Sequence, residues 1–116
     1  MEKIKSNDFF VANEAKVYDL GEGVKRQFVG YDNCIMTVKV SFEKGAVGSI
    51  HQHPHTQTCF VHSGQFEVTI DGVNKVLQAG DGFYVAPNVL HGCRCLEEGI
   101  LIDTFSPIRE DFYKTI

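Results

Sequence analysis

No basic block, no long apolar run and no sustained helical periodicity occurs in these 116 residues, and each absence removes a class of protein. Lys and Arg number 11 against 15 Asp and Glu, a formal charge of −4, so nucleic acid is not an expected partner. The longest apolar stretches, such as Phe9-Phe10-Val11-Ala12, are too short to span a bilayer, so no membrane partner is expected either. Met1 to Asp8 lacks the apolar segment and small-residue cleavage site of a secretory signal, which makes the cytoplasm the expected location. Linkers, repeats and low-complexity tracts are also missing, so one domain is expected: an arm over 1–14, a barrel over 15–106 and a tail over 107–116. The four cysteines are expected reduced, with Cys34 and Cys59 packing as small hydrophobes in apolar runs. Cys93-x-Cys95 has no second pair at similar spacing, which excludes a zinc ribbon.

What is present is alternation of period two, punctuated by Gly, Asn, Asp and Pro. Strands are expected over Lys16–Leu20, Val24–Gly30, Cys34–Phe42, Thr58–His62, Gln65–Asp71, Asn74–Gln78, Gly82–Val85, Gly92–Leu96 and Ile100–Phe105. Phe66, Val68 and Ile70 form one apolar face, and Asp71-Gly72 supplies a two-residue hairpin turn. Only Asp8–Asn13 and Glu110–Thr115 have room for a turn or two of helix. Many short strands at nearly even spacing predict an all-β sandwich, jelly roll or closed barrel.

The segment from Gly45 to Gln57 carries the chemistry. On an extended backbone His51 and His53 project from one face, and Pro54 favours extended geometry at His53. Gln57 offers an amide oxygen from the same side, and His91 offers a third imidazole from a distant segment. Three neutral nitrogens and one oxygen suit a single divalent transition metal, with nickel, zinc, iron, cobalt and manganese all compatible. His62, before Ser63-Gly64, is expected at the surface, and His55 behind the cluster or at the surface.

Toward the carboxyl end, Asp103 and Phe105 share a strand face, so an inward Leu101 and Phe105 would carry Asp103 inward too. Pro107 then breaks the strand, and Arg109 follows on a turn placed to fold over the barrel mouth. An Asp103–Arg109 salt bridge closing the barrel end and a catalytic pair are equally compatible with this spacing.

Gly45, His51-x-His53, Gln57 and Gly64 reproduce the spacing of the first cupin motif, and Gly80-Asp81-Gly82 through Pro87 to His91 resembles the second. Gln57 stands where most cupins have Glu, Val89 where the second motif has Gly, and Cys95 where many cupins have Asn. The resemblance implies the single-domain double-stranded β-helix, or jelly-roll barrel, of the cupin superfamily. With His-Pro-His-x-Gln and the run from Asp103 to Asp111, the chain further resembles the pectin-degradation cupins, which convert 4,5-unsaturated monouronates to linear ketonised uronates. That resemblance implies metal ligation by His51, His53, Gln57 and His91, active-site roles for Asp103, Phe105 and Arg109, a small sugar-acid substrate, and a homodimer formed through the amino terminus. Two other readings stand beside it: a non-catalytic sugar-acid-binding cupin, and another metal-dependent cupin enzyme such as an oxygenase.

Overall fold

A computed structural model of the chain describes residues 2–116; Met1, the first residue of the expected arm, lies outside them. Among the described residues there are eight strands: β1 (Tyr18–Gly21), β2 (Val24–Tyr31), β3 (Met36–Phe42), β4 (Val47–His51), β5 (Thr56–Ile70), β6 (Val73–Gln78), β7 (Gly82–Val85) and β8 (His91–Ser106). A single helical turn, α1 (Glu110–Tyr113), follows. The amino-terminal helical turn expected over Asp8–Asn13 is not formed; Glu14 and Ala15 instead donate backbone bonds to the Val11 carbonyl in a turn. Among the described residues no helix is long and apolar enough to cross a membrane.

Two long antiparallel strands organise everything else. β5 and β8 pair from Thr56↔Ser106 to Ile70↔His91 at the centre of one eight-stranded sheet. The carboxyl half of β8 joins β3, β2 and β1, while its amino half joins β4. The amino half of β5 takes β7 as a partner and its carboxyl half takes β6. All pairings are antiparallel, as a jelly roll requires.

The bend between the halves is built at Gly64 and Gly99. A Cβ on Gly99 would collide with the Ser63 carbonyl oxygen, and one on Gly64 (φ 82°) would sit 2.6 Å from the Glu97 carbonyl oxygen. The register slips repeatedly between Val61 and Phe66, which marks a bulged corner. Inward positions therefore change parity there: Gln57, Cys59 and Val61 are buried before it, Phe66 and Val68 after it. The hairpin at Asp71-Gly72 has positive φ at both residues (50° and 78°), as a two-residue turn of this type needs.

The interior divides in two. Phe42, Ala46, Cys59, Val61, Phe66, Val68, Cys95 and Leu101 fill the bent end. At the other end Ile4, from the amino-terminal segment, and Ile108, from the tail, close over Met36, Val38 and Phe105. All four thiols are free. Cys34 differs from expectation, because β3 begins only at Met36 and leaves it exposed in the preceding turn.

Candidate metal centre

His51, His53, Gln57 and His91 reach one point from three segments. His51 ends β4 and pairs in register with His91, the first residue of β8. His53 lies in the connection to β5, where its carbonyl accepts the Asn88 amide at 2.8 Å, tying the loop before His91 to the loop after His51. Gln57 faces inward by the alternation of β5, opposite Phe105 on β8. The three imidazoles each place a nitrogen within 4.8 Å of the others. His51 remains exposed, while His53 and His91 are buried, so the cluster opens to solvent on the His51 side.

The protons can be assigned. His51 Nδ1 lies 2.7 Å from the Ser49 carbonyl oxygen and His91 Nδ1 lies 2.8 Å from the Val89 carbonyl oxygen, so each neutral ring carries its hydrogen on Nδ1 and presents a bare Nε2. The Gln57 amide is oriented just as firmly, because its Nε2 donates to Asp103 Oδ1 at 3.1 Å. Its Oε1 consequently faces His53 Nε2 at 3.0 Å and His91 Nε2 at 3.1 Å. Between Gln57 and His91 an oxygen lone pair meets a nitrogen lone pair, an arrangement that repels unless a cation sits between them. The donor set thus fits a divalent transition metal.

Electrostatics favours the unprotonated rings of His53 and His91. Burial holds the His53 imidazole down at about 4, helped by the nearby Arg109 charge, and burial also lowers His91. His55 is half-buried with its ring 5.3 Å from that of His53, and its Nδ1 is buried without a partner. It stands behind the cluster rather than in it, and His62 is exposed.

Asp103 lies on the inward row of β8 between Val38 and Cys59. Burial pushes its carboxyl up from the ordinary range, opposed by hydrogen bonds from the Cys59 thiol and the Gln57 amide and by the Arg109 charge. Phe105, two residues on, is buried with its ring 5.6 Å from that of His53. Arg109 is buried at the start of the tail with its guanidinium carbon 5.1 Å from the Phe105 ring centre. Among the described residues the salt bridge considered between Asp103 and Arg109 is not formed. Arg109 gives Nε and Nη2 to Asp111 at 3.0 and 2.7 Å, because a partner two residues away on the same turn is reached without crossing the mouth.

Sequence reasoning missed several neighbours of the site. Cys59 touches Asp103, Phe112 packs its ring 5.6 Å from Phe105, and Arg26 on β2 is buried against Phe112. Arg26 did carry a signal: it shares the face of Val24 and Phe28, a charge at an inward position.

Residues 38–104 match the Cupin domain family model. The chain is 43% identical over 106 residues to the pectin degradation protein KdgF of Dickeya dadantii (strain 3937), an alignment covering 90% of this chain and 96% of that protein. An RmlC-like cupin from Shewanella frigidimarina NCIMB 400 superposes with a TM-score of 0.91 at 50% identity, covering 93% of this chain and 97% of that one. KdgF from a Halomonas species does so with a TM-score of 0.88 at 38% identity, covering 92% and 99%.

Proposed function

The chain belongs to the cupin family, and from that membership and the geometry around Asp103 we propose that it converts 4,5-unsaturated monouronates, such as those released from pectin, to linear ketonised uronates in a metal-dependent reaction. The names of two relatives, one a pectin degradation protein, support the substrate class. The observation that carries the reaction is the Gln57 side chain, which turns its oxygen to the imidazoles and its N–H to Asp103, joining a cation site to a buried carboxyl group.

The conversion is an isomerisation, so no oxidant is needed. The anomeric O–H gives up a proton, the bond from the anomeric carbon to the ring oxygen breaks, and C4 of the enol ether gains a proton as C5 becomes a ketone. Asp103 is the residue we assign to that transfer, since a carboxyl group raised toward neutrality both accepts and returns a proton. Arg109, its Nη1 not engaged by Asp111, is assigned to the substrate carboxylate. Phe105 offers a wall between the imidazoles and the guanidinium against which the sugar ring is positioned. A divalent cation held by His51, His53, Gln57 and His91 would supply Lewis acidity toward substrate oxygens.

The test is incubation of metal-loaded protein with unsaturated monouronates. Loss of the ultraviolet chromophore in proportion to protein is expected, and a chromophore that decays at the protein-free rate overturns the reading. A cytoplasmic homodimer completes the proposal. Exposed Phe9, Val11 and Val17 on the amino-terminal segment support pairing there, and a monomeric mass by sedimentation would exclude it.

A further inference from the structure

Among the described residues two arginines are buried, and only one of them has a carboxylate. Arg109 is paired with Asp111. Arg26 is 8% exposed, donates one bond, from Nη2 to Thr115 Oγ1 at 3.1 Å, and leaves Nε buried without a partner. Among the described residues no acidic side chain comes within ion-pair distance of it. What it does touch is aromatic: its guanidinium carbon is 4.1 Å from the Phe112 ring centre and 5.3 Å from that of Phe28. The Arg109 guanidinium carbon is 3.9 Å from the same Phe112 ring. Rings and guanidinium groups therefore run in one column from Phe28 through Arg26, Phe112 and Arg109 to Phe105, which abuts His53.

This column is electrostatically unbalanced. Two guanidinium cations share one ring, and the single carboxylate beside them, Asp111, is bound edge-on to Arg109. Two like charges placed this close without a second anion oppose folding, and cation–π contacts offset only part of that cost. A chain selected for stability alone would place an aliphatic or a paired residue at position 26. A ligand that brings a carboxylate to the Arg109 end restores the balance.

We propose that Arg26 is a positioning residue for anion recognition: its unpaired charge, held behind Arg109 by Phe112, makes this end of the site select a carboxylate-bearing ligand, while its bond to Thr115 keeps the tail seated. The inference rests on the uronate reading above and identifies what sets the preference for the acid over a neutral sugar. Arg26 touches no ligand in this scheme; it acts through Phe112, Arg109 and its field.

The experiment compares wild type, Arg26→Met and Arg26→Lys, each metal-loaded, on an unsaturated monouronate and on its neutral methyl ester. Arg26→Met keeps the apolar length and loses the charge. Its KM for the acid should rise about tenfold with kcat within about threefold, while KM for the ester stays unchanged. Arg26→Lys keeps the charge without the planar stack and should recover most of the loss. The wild-type KM for the acid should also rise with salt more steeply than that of Arg26→Met. Equal acid-to-ester preference in wild type and Arg26→Met overturns the proposal, as does a Lys variant no better than Met, which would make Arg26 a tail anchor only. Should Arg26→Met fail to fold, the Lys variant and the salt dependence of wild type decide: a salt-independent wild-type KM overturns it. Wild type that turns over neither compound removes the uronate reading and this inference together, whereas the preceding outcomes remove the inference alone.

Discussion

At the scale of single residues, Gln57 explains itself once both ends of its amide are followed. The oxygen faces His53 and His91, and the N–H donates to Asp103. A glutamate, the commoner cupin residue at this position, would serve a cation at least as well but would set a second carboxylate 3.1 Å from the first. Gln57→Glu should therefore bind metal more tightly and turn over more slowly, because like charges at that separation force a proton to be shared and take Asp103 out of its working range. Metal titration and initial rates on one preparation check this, and a variant as fast as wild type would argue against coupling through the amide. Asp103→Asn probes the other partner. Burial disfavours the charged carboxyl, and an amide of the same shape escapes that cost while still accepting from Gln57. The variant should lose turnover by about 10²–10⁴-fold while its melting temperature is held or raised. Retained turnover would remove Asp103 from the proton transfer, and a large fall in melting temperature would show its role to be structural.

At the scale of strands, the sequence and the structure part company at the corners. Period-two alternation located β2, β3, β6 and β7 to within a few residues: β3 keeps Met36, Val38 and Phe42 buried on one face, whereas β6 has only Leu77 half-buried and was bounded by the Asp71-Gly72 turn before it. β5 and β8 read as two strands apiece, since the inward parity changes across the bulge at Ser63–Gln65 and Gly99 interrupts the apolar pattern opposite it. β4 was not legible at all: four of its five residues are exposed, so it carries no alternation, and only its pairing with β8 makes it a strand. That omission matters little for the site, because Pro54 predicts extended geometry at His53 and an extended backbone puts His51 on the same face. The four metal-binding candidates were legible because three of them, His51, His53 and Gln57, sit within one short segment. The contact between Arg26 and Thr115 was not, because the two are separated by 89 positions that only the folded sheet brings together. The corner itself can be tested with Gly99→Ala. Its methyl group would meet the Ser63 carbonyl oxygen and the Gly64 Cα, backbone that cannot rotate away. A loss of about 2 kcal/mol or more is expected in chemical denaturation, and a loss below about 0.5 kcal/mol would mean the two strands are not tightly apposed there.

At the scale of the whole molecule, a metal ion held by these residues would compete with protons for the same lone pairs, and the direction of that competition follows from burial. With His53 held at about 4 and His91 also below the ordinary imidazole value, metal binding should survive mild acidification that would already protonate free imidazole, then fail on approach to pH 4. Chelation at neutral pH should lower the melting temperature by roughly 10 °C if the ion had been present at about a hundredfold its dissociation constant. The metal-free protein adds a second test. His53 takes up a proton at about 6.5 when unfolded but only at about 4 when folded, so the unfolded state binds more protons in between and stability falls as pH drops through that window. Asp103 works the other way. Its folded carboxyl is raised, so its contribution is largest at acid pH and is lost as pH rises through its folded value. In wild type the two partly cancel on acidification, whereas Asp103→Asn leaves the histidine contribution unopposed. Metal-free Asp103→Asn should accordingly lose melting temperature more steeply than metal-free wild type between pH 6.5 and 4. Parallel curves would show that the carboxyl is not held neutral by its burial, and with that the ground for assigning it the proton transfer would go.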